Sequence, residues 1–178
     1  MATFRYVLAD VFTDTPLEGN GLAVFTDARG IPEETLQPLA RELNLSETVY
    51  VYPAEKGGHA RIRIFTPMDE LPFAGHPVLG TAFVLAAPLQ LPEIVLETAK
   101  GPIPVRLERE ESRISFGWMS QPVPTVELFA AADELLAAVG VEGSELPVEL
   151  YDNGARHVYV ALPSVEAVEA LVNPSVRV

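Results

Sequence analysis

Two short stretches of this chain carry side chains able to move a proton. The first is Asn44-Leu-Ser-Glu-Thr-Val-Tyr-Val51. Ser46–Tyr52 alternates as a strand, which puts Leu45, Glu47, Val49 and Val51 on one face and Ser46, Thr48, Tyr50 and Tyr52 on the other. If the Glu47 face is the core side, a carboxyl group sits among aliphatic residues. Desolvation then disfavours its charge and raises its pKa. Such a group can take and return a proton near neutral pH. The alternative is that this face is not core, or that Glu47 reaches solvent from the start of the strand. The second stretch is Phe65-Thr-Pro-Met-Asp-Glu-Leu-Pro-Phe-Ala-Gly-His-Pro77, which ends where an apolar helix should begin. Gly75 allows close approach of the backbone to a ligand. The first N–H groups of a helix have no internal partners and carry partial positive charge, so they suit a carboxylate or phosphate. His76 could be a second proton carrier there, or a helix-start residue that only caps backbone groups.

Other chemistries lack their signatures. His59 and His157 do not have metal-ligand spacing, and there is no Cys, so no zinc site is expected. No phosphate-loop Lys, dinucleotide glycine fingerprint or Gly-x-Ser-x-Gly elbow occurs. With Cys at 0, disulfides and thiol bases are also excluded. Lys plus Arg number 12 against 25 Asp plus Glu, a net charge of -13. That balance argues against nucleic acid and against anionic membrane surfaces. No secretory signal or membrane-length apolar run is visible, so a soluble cytoplasmic protein is the expectation.

Several elements must position the two stretches. Strands are expected at residues 4–12, 22–25, 46–52, 60–65, 94–96, 104–108 and 113–117. A helix is expected over 31–45, with Thr35 as N-cap so that Pro38 falls in its first turn. Residues 75–87 read as a helix that is apolar almost all round, stopped by Pro88. Such a helix should be buried on every side, as a sheet wrapped around it would provide. Residues 127–139 read as an Ala- and Leu-rich helix with Gly140 as its stop. The 16 Pro and 12 Gly fit many short elements.

An internal repeat is also visible. Val148–Leu162 resembles Asp10–Phe25, each reading strand, turn, strand, with Asn153-Gly154 matching Asn20-Gly21. An acidic helical segment follows each, 32–43 and 164–172. Coincidence is the competing explanation, because strand–Asn-Gly–strand is a common hairpin.

Together these pieces resemble the PhzF family, the phenazine-biosynthesis isomerases and their relatives. The matching stretches are Asp10-Val-Phe-Thr-Asp14 with Gly19-Asn20 and Leu22-Ala-Val24; Ala40-Arg-Glu-Leu-Asn-Leu-Ser-Glu-Thr48; Ile64-Phe-Thr-Pro67 with Glu70-Leu-Pro-Phe-Ala-Gly-His-Pro77; and Asn153-Gly154 with Arg156-His157. The resemblance implies an α+β, diaminopimelate epimerase-like fold. Two pseudo-symmetric domains, each a sheet rolled around a central helix, would face each other across the active-site cleft. Residues 1–115 would be the first domain and residues 116–178 the incomplete beginning of the second. The family's Asp and Thr-Gly-Ser/Thr-Ala motif of the second domain has no match here. Activity would be a metal-free and cofactor-free proton shift on a small cyclic or aromatic-precursor carboxylate. Glu47 would shuttle the proton. Ser46, Gly75 and His76 would line the cleft with Asn20 as a further substrate-binding residue, and Gly75 and His76 would lie near the substrate carboxylate. The lack of Cys fits this branch, because the amino-acid epimerases of the fold use a pair of thiols. The alternatives are a truncated carboxylate-binding module without turnover, or a half-protein needing a partner. A homodimer, or association with the missing C-terminal portion, would complete the cleft.

Overall fold

The structure, a computed structural model, describes residues 3–171. The chain divides into two compact units, Met1–Gln121 and Pro122–Val178. In the first unit the strands are β1 (Tyr6–Val11), β2 (Asn20–Phe25), β3 (Glu47–Tyr52), β4 (Ala60–Phe65), β5 (Glu70–Leu71), β6 (Glu93–Thr98), β7 (Gly101–Glu110) and β8 (Arg113–Met119), and the helices are α1 (Glu33–Leu43) and α2 (Gly75–Leu89). The sheet runs β1-β2-β3-β4-β6-β7-β8, with β5 attached to β4. Two pairs are parallel, β2 with β3 and β4 with β6. Parallel neighbours need a crossover, and α1 and α2 lie in the two crossovers.

The helices pack on opposite faces of this sheet. α2 touches β1, β2, β3, β6, β7 and β8, so the sheet curls around it from edge to edge. Its core comprises Leu22, Val24, Val49, Val51, Ile62, Ile64, Leu96 and Val105 from the strands, and Val78, Ala82 and Ala86 from the helix. α1 lies outside, where Leu36 and Ala40 meet Phe25, Tyr50 and Phe65. The Tyr50 hydroxyl donates to the Leu36 carbonyl at 2.6 Å, in a fully buried setting. Strand β3 is therefore buried on both faces.

The expected strands and the wrapped helix are present, with local corrections. α1 begins at Glu33 rather than after a Thr35 cap, and Pro38 lies inside it. Pro38 leaves a backbone carbonyl without its N–H partner, and burial of Leu36 and Ala40 offsets that loss. α2 passes through Pro88 to Leu89 and ends at Gln90 in the left-handed conformation, φ 54°. Its last residues, Ala87, Pro88 and Leu89, are exposed, and Leu79, Phe83, Val84 and Leu85 are only partly buried, so the expected burial on every side is incomplete. At the helix end Arg109 Nη2 donates to the carbonyls of Ala86, which also accepts from the Gln90 and Leu91 amides, and of Leu91 just beyond the helix.

In the second unit, β9 (Thr125–Leu128), β10 (Glu149–Asp152) and β11 (Arg156–Tyr159) form a sheet in the order β11-β10-β9, with α3 (Ala132–Val139) and α4 (Val165–Glu169). Residues 127 and 128 were expected in a helix but pair with β10, Leu128 opposite Glu149. The period fits a helix locally, and the partner strand decides otherwise. The stop at Gly140 is as expected, with φ 79°. The repeat is looser than its letters suggest. Asn153 and Gly154 occupy the β10–β11 turn, whereas Asn20 and Gly21 are paired residues of β2, opposite Val11 and Asp10. The expected helical segment 164–172 is seen as α4, and Val172 lies outside the described residues. Among the described residues no helix is long and apolar enough to cross a membrane.

Candidate active site

The site grows from the register of two parallel strands. Leu22 of β2 is level with Glu47 of β3. Alternation then places Asn20, Leu22 and Val24 on the same inward face as Glu47, Val49 and Val51. Asn20 and Glu47 begin their strands at the same end of the sheet. The chain returns there through Phe73, which is 2% exposed and anchors the turn into α2.

Gly80 lets α2 come close. A Cβ on it would lie 2.6 Å from Val11 Cγ2 and 2.7 Å from Leu22 Cδ2. His76 is one turn before Gly80 on the same helix face, so this close approach brings its ring against the strand ends. His76 Nε2 lies 3.1 Å from Glu47 Oε2, and His76 Nδ1 lies 3.3 Å from Asn20 Nδ2. The Glu47 and His76 side chains are 15% and 10% exposed. Despite the short distance, neither Glu47 Oε2 nor His76 Nε2 has a well-aimed hydrogen-bond partner, and both atoms are buried. Proximity without alignment is a weak bond.

Burial pushes the Glu47 carboxyl above its ordinary range and the His76 imidazole below its own. In both cases desolvation favours the neutral form. The pair is thus a poor ion pair, with both partners favoured in their neutral forms. The inward face of Glu47 is core, which selects between the two possibilities left open by the alternation.

The N-terminus of α2 completes the arrangement. Ala74 occupies the cap position without a side-chain hydrogen bond, and Pro77 has no N–H. The Gly75 and His76 amides are left as the free donors of the first turn. A Cβ on Gly75 would meet only Met119 Cε at 3.7 Å, an ordinary contact, so internal packing does not demand glycine there. Ser46 is exposed, immediately before β3. The structure therefore brings together Glu47, His76 and Asn20, with Gly75 adjacent, and leaves Ser46 at the rim.

Two residues at this end had drawn no attention. Gly80 reads in the sequence as one more small residue in an apolar helix. Phe12 is 73% exposed, has φ 68°, and its ring makes a T-shaped pair with His76, centroids 6.3 Å apart. A bulky residue in the left-handed region is strained, and such strain concentrates at functional sites. Among the described residues no group of three or more His, Asp or Glu is arranged to hold a metal ion.

Comparison with known proteins follows the same lines. The family described as phenazine biosynthesis-like protein, PhzC-PhzF, matches residues 9–177. The chain is 50% identical over 167 residues to the trans-2,3-dihydro-3-hydroxyanthranilate isomerase of Pseudomonas aeruginosa, covering 94% of this chain and 60% of that protein. The chain thus spans about three-fifths of the length of such curated relatives. A PhzF-family phenazine biosynthesis protein from Bacillus anthracis superposes with a TM-score of 0.80 at 28% identity, covering 97% of this chain and 60% of that one. A hydroxyproline epimerase from Agrobacterium vitis shares the fold at 14% identity, with a TM-score of 0.56 and coverage of 87% and 50%. The α+β, epimerase-like architecture expected from the sequence is thereby shown.

Proposed function

Because this chain belongs to the PhzF family of phenazine biosynthesis-like proteins, we propose that it carries one wall of an isomerase site that moves a proton between carbons of a small cyclic carboxylate. The observation that carries this reading is the buried pair of Glu47 Oε2 and His76 Nε2, 3.1 Å apart and without aligned partners. A carboxylate held in that state binds a proton more readily than a solvated one, which brings its acid/base exchange closer to neutral pH. The chemistry is balanced without a redox partner. Glu47 takes a proton from a ring carbon as the C–H electron pair moves into the adjoining double bonds. The carboxyl O–H then breaks as the proton passes to another ring carbon, and the double bonds end one position displaced.

The substrate carboxylate would lie against the Gly75 and His76 amides, where the helix end favours negative charge. Ser46 would flank the ligand at the rim, and Asn20 would line the site from beside His76. The substrate we assign is trans-2,3-dihydro-3-hydroxyanthranilate, the compound in the name of the Pseudomonas aeruginosa relative. The second unit, from Pro122 onward, is read as the start of a second domain of the same plan. The facing wall comes from the rest of that domain or from a second chain, in a cytoplasmic setting.

The test is solvent exchange. With trans-2,3-dihydro-3-hydroxyanthranilate in deuterium oxide, the chain incorporates deuterium at a ring carbon, followed by mass spectrometry. Glu47→Gln slows uptake by about 10²–10⁴-fold, the usual worth of a general acid/base. Equal uptake by the variant, or none by the intact chain, refutes the assignment.

A further inference from the structure

We propose that Asn20 is a positioning residue: it fixes the tautomer of His76 and so decides which member of the pair holds the travelling proton. This rests on the acid/base reading of the Glu47–His76 pair. A neutral imidazole has one N–H and one lone pair. The group that Asn20 presents to the ring is its amide nitrogen, Nδ2, 3.3 Å from Nδ1. An amide nitrogen only donates, so Nδ1 is the acceptor and the imidazole proton is on Nε2. Nε2 faces Glu47 Oε2 at 3.1 Å. In that tautomer the nitrogen nearest Glu47 has no lone pair to offer. A proton that Glu47 draws from the substrate therefore stays on the carboxyl group, ready to be returned. The opposite tautomer would open Nε2 as a competing base and drain the proton sideways.

The scaffold holds Asn20 where this requires it. It is the first residue of β2, paired with Val11, and not part of a free loop. Gly19 just before it is hemmed in: a Cβ there would lie 2.6 Å from both the Val11 carbonyl oxygen and Thr13 Cγ2. The Phe12 ring is the aromatic neighbour of the imidazole, tilted at 60° with centroids 6.3 Å apart, and a phenyl ring carries no lone pair to compete for the imidazole proton.

The experiment is nitrogen NMR on the full 178-residue chain labelled at its 3 histidines. His76 is assigned by loss of its signals in His76→Gln. The expected result is an unprotonated Nδ1 and a protonated Nε2. Asn20→Asp, whose side chain only accepts when ionised, moves the proton to Nδ1. Asn20→Leu, similar in size with neither donor nor acceptor, reduces the tautomer ratio on the order of tenfold, the worth of one hydrogen bond of about 1.4 kcal/mol. Asn20→Gln restores part of that ratio. His59 and His157 report in the same spectra that each variant is folded. A His76 protonated at Nδ1 in the wild type, or an unchanged ratio in folded Asn20→Leu, overturns the proposal. The readout needs no turnover, so failure of the isomerase assignment and failure of this one are separate results.

Discussion

Gly80→Ala should separate the stability of this unit from the geometry of its site. The added Cβ would stand 2.6 Å from Val11 Cγ2 and 2.7 Å from Leu22 Cδ2. Carbon atoms rest at about 3.5–4.0 Å, so one side must give by roughly 1 Å. Leu22 is fully buried and Val11 is 6% exposed and β-branched, so neither can swing into solvent. The helix is the part that moves. Overpacking of this size costs about 1–3 kcal/mol. Alanine recovers about 1 kcal/mol of helix propensity over glycine, leaving a net loss of about 0–2 kcal/mol. His76, on the same face one turn away, moves with the helix. Its 3.3 Å contact to Asn20 then passes beyond hydrogen-bond reach. A 1 Å error in placing a catalytic group costs about 10²-fold in rate. The expected signature is a small drop in the urea midpoint, a large loss of deuterium exchange into substrate, and the tautomer change described for Asn20→Leu. Gly143→Ala is the control, because nothing lies within 4 Å of a Cβ there. Gly80→Ala with exchange within twofold of wild type and an intact Asn20–His76 contact in its crystal structure would refute the close-approach argument.

Other outcomes follow from named contacts. Tyr50→Phe leaves the buried Leu36 carbonyl without its 2.6 Å donor and should cost about 1–3 kcal/mol in urea unfolding. Glu97 accepts backbone N–H bonds from Glu55, Lys56 and Gly58 at 2.7, 2.6 and 2.8 Å, and these hold its carboxyl below the ordinary value of 4.5, Glu55 most of all. A depressed folded pKa gives stability that is present above 4.5 and lost as pH falls through the folded value. Glu97→Gln should therefore lower stability at neutral pH and flatten the acid limb of the urea midpoint; an unchanged acid limb counts against the clamp. Glu47 has the opposite sign. Its folded pKa is raised by burial, so its contribution is full below 4.5 and is lost as pH rises through the folded value. Glu47→Gln should thus be more favourable to stability, relative to wild type, at mildly alkaline pH than at about pH 4, even as it removes exchange activity.

Much of the candidate site is legible in the sequence because strand alternation is a local property. It places Glu47 with Val49 and Val51, and those residues are core. Alternation could not reveal that Tyr50 is buried as well, because that depends on α1 covering the outer face. Nor could it pair His76 with Asn20, 56 residues away in the chain. That contact depends on the parallel register of β2 with β3 and on how near α2 approaches them. Gly80 sets the approach, and a glycine inside an apolar helix gives no outward sign of what it touches. The misassigned stretch at Glu127 and Leu128 has the same cause. Its spacing suits a helix, and its pairing with Glu149 and Leu150 overrides that preference.

The direction of the two pKa shifts carries an argument about why the pair is built as it is. An intimate ion pair would pull the Glu47 pKa down and push that of His76 up, since each charge would favour the other. The opposite shifts occur, with burial as the cause of both. His76 Nε2 and Glu47 Oε2 are close but not aligned for a hydrogen bond, so attraction does not offset the loss of water. A well-aligned ion pair would be more stable but would make Glu47 a weaker base, because its charge would already be spent on the imidazolium. Neutral His76 leaves that basicity intact. On the proposed reading, positioning the ring through Asn20 and Gly80, rather than through charge, would keep it in place without quenching Glu47. The design trades local stability for a proton affinity set by burial.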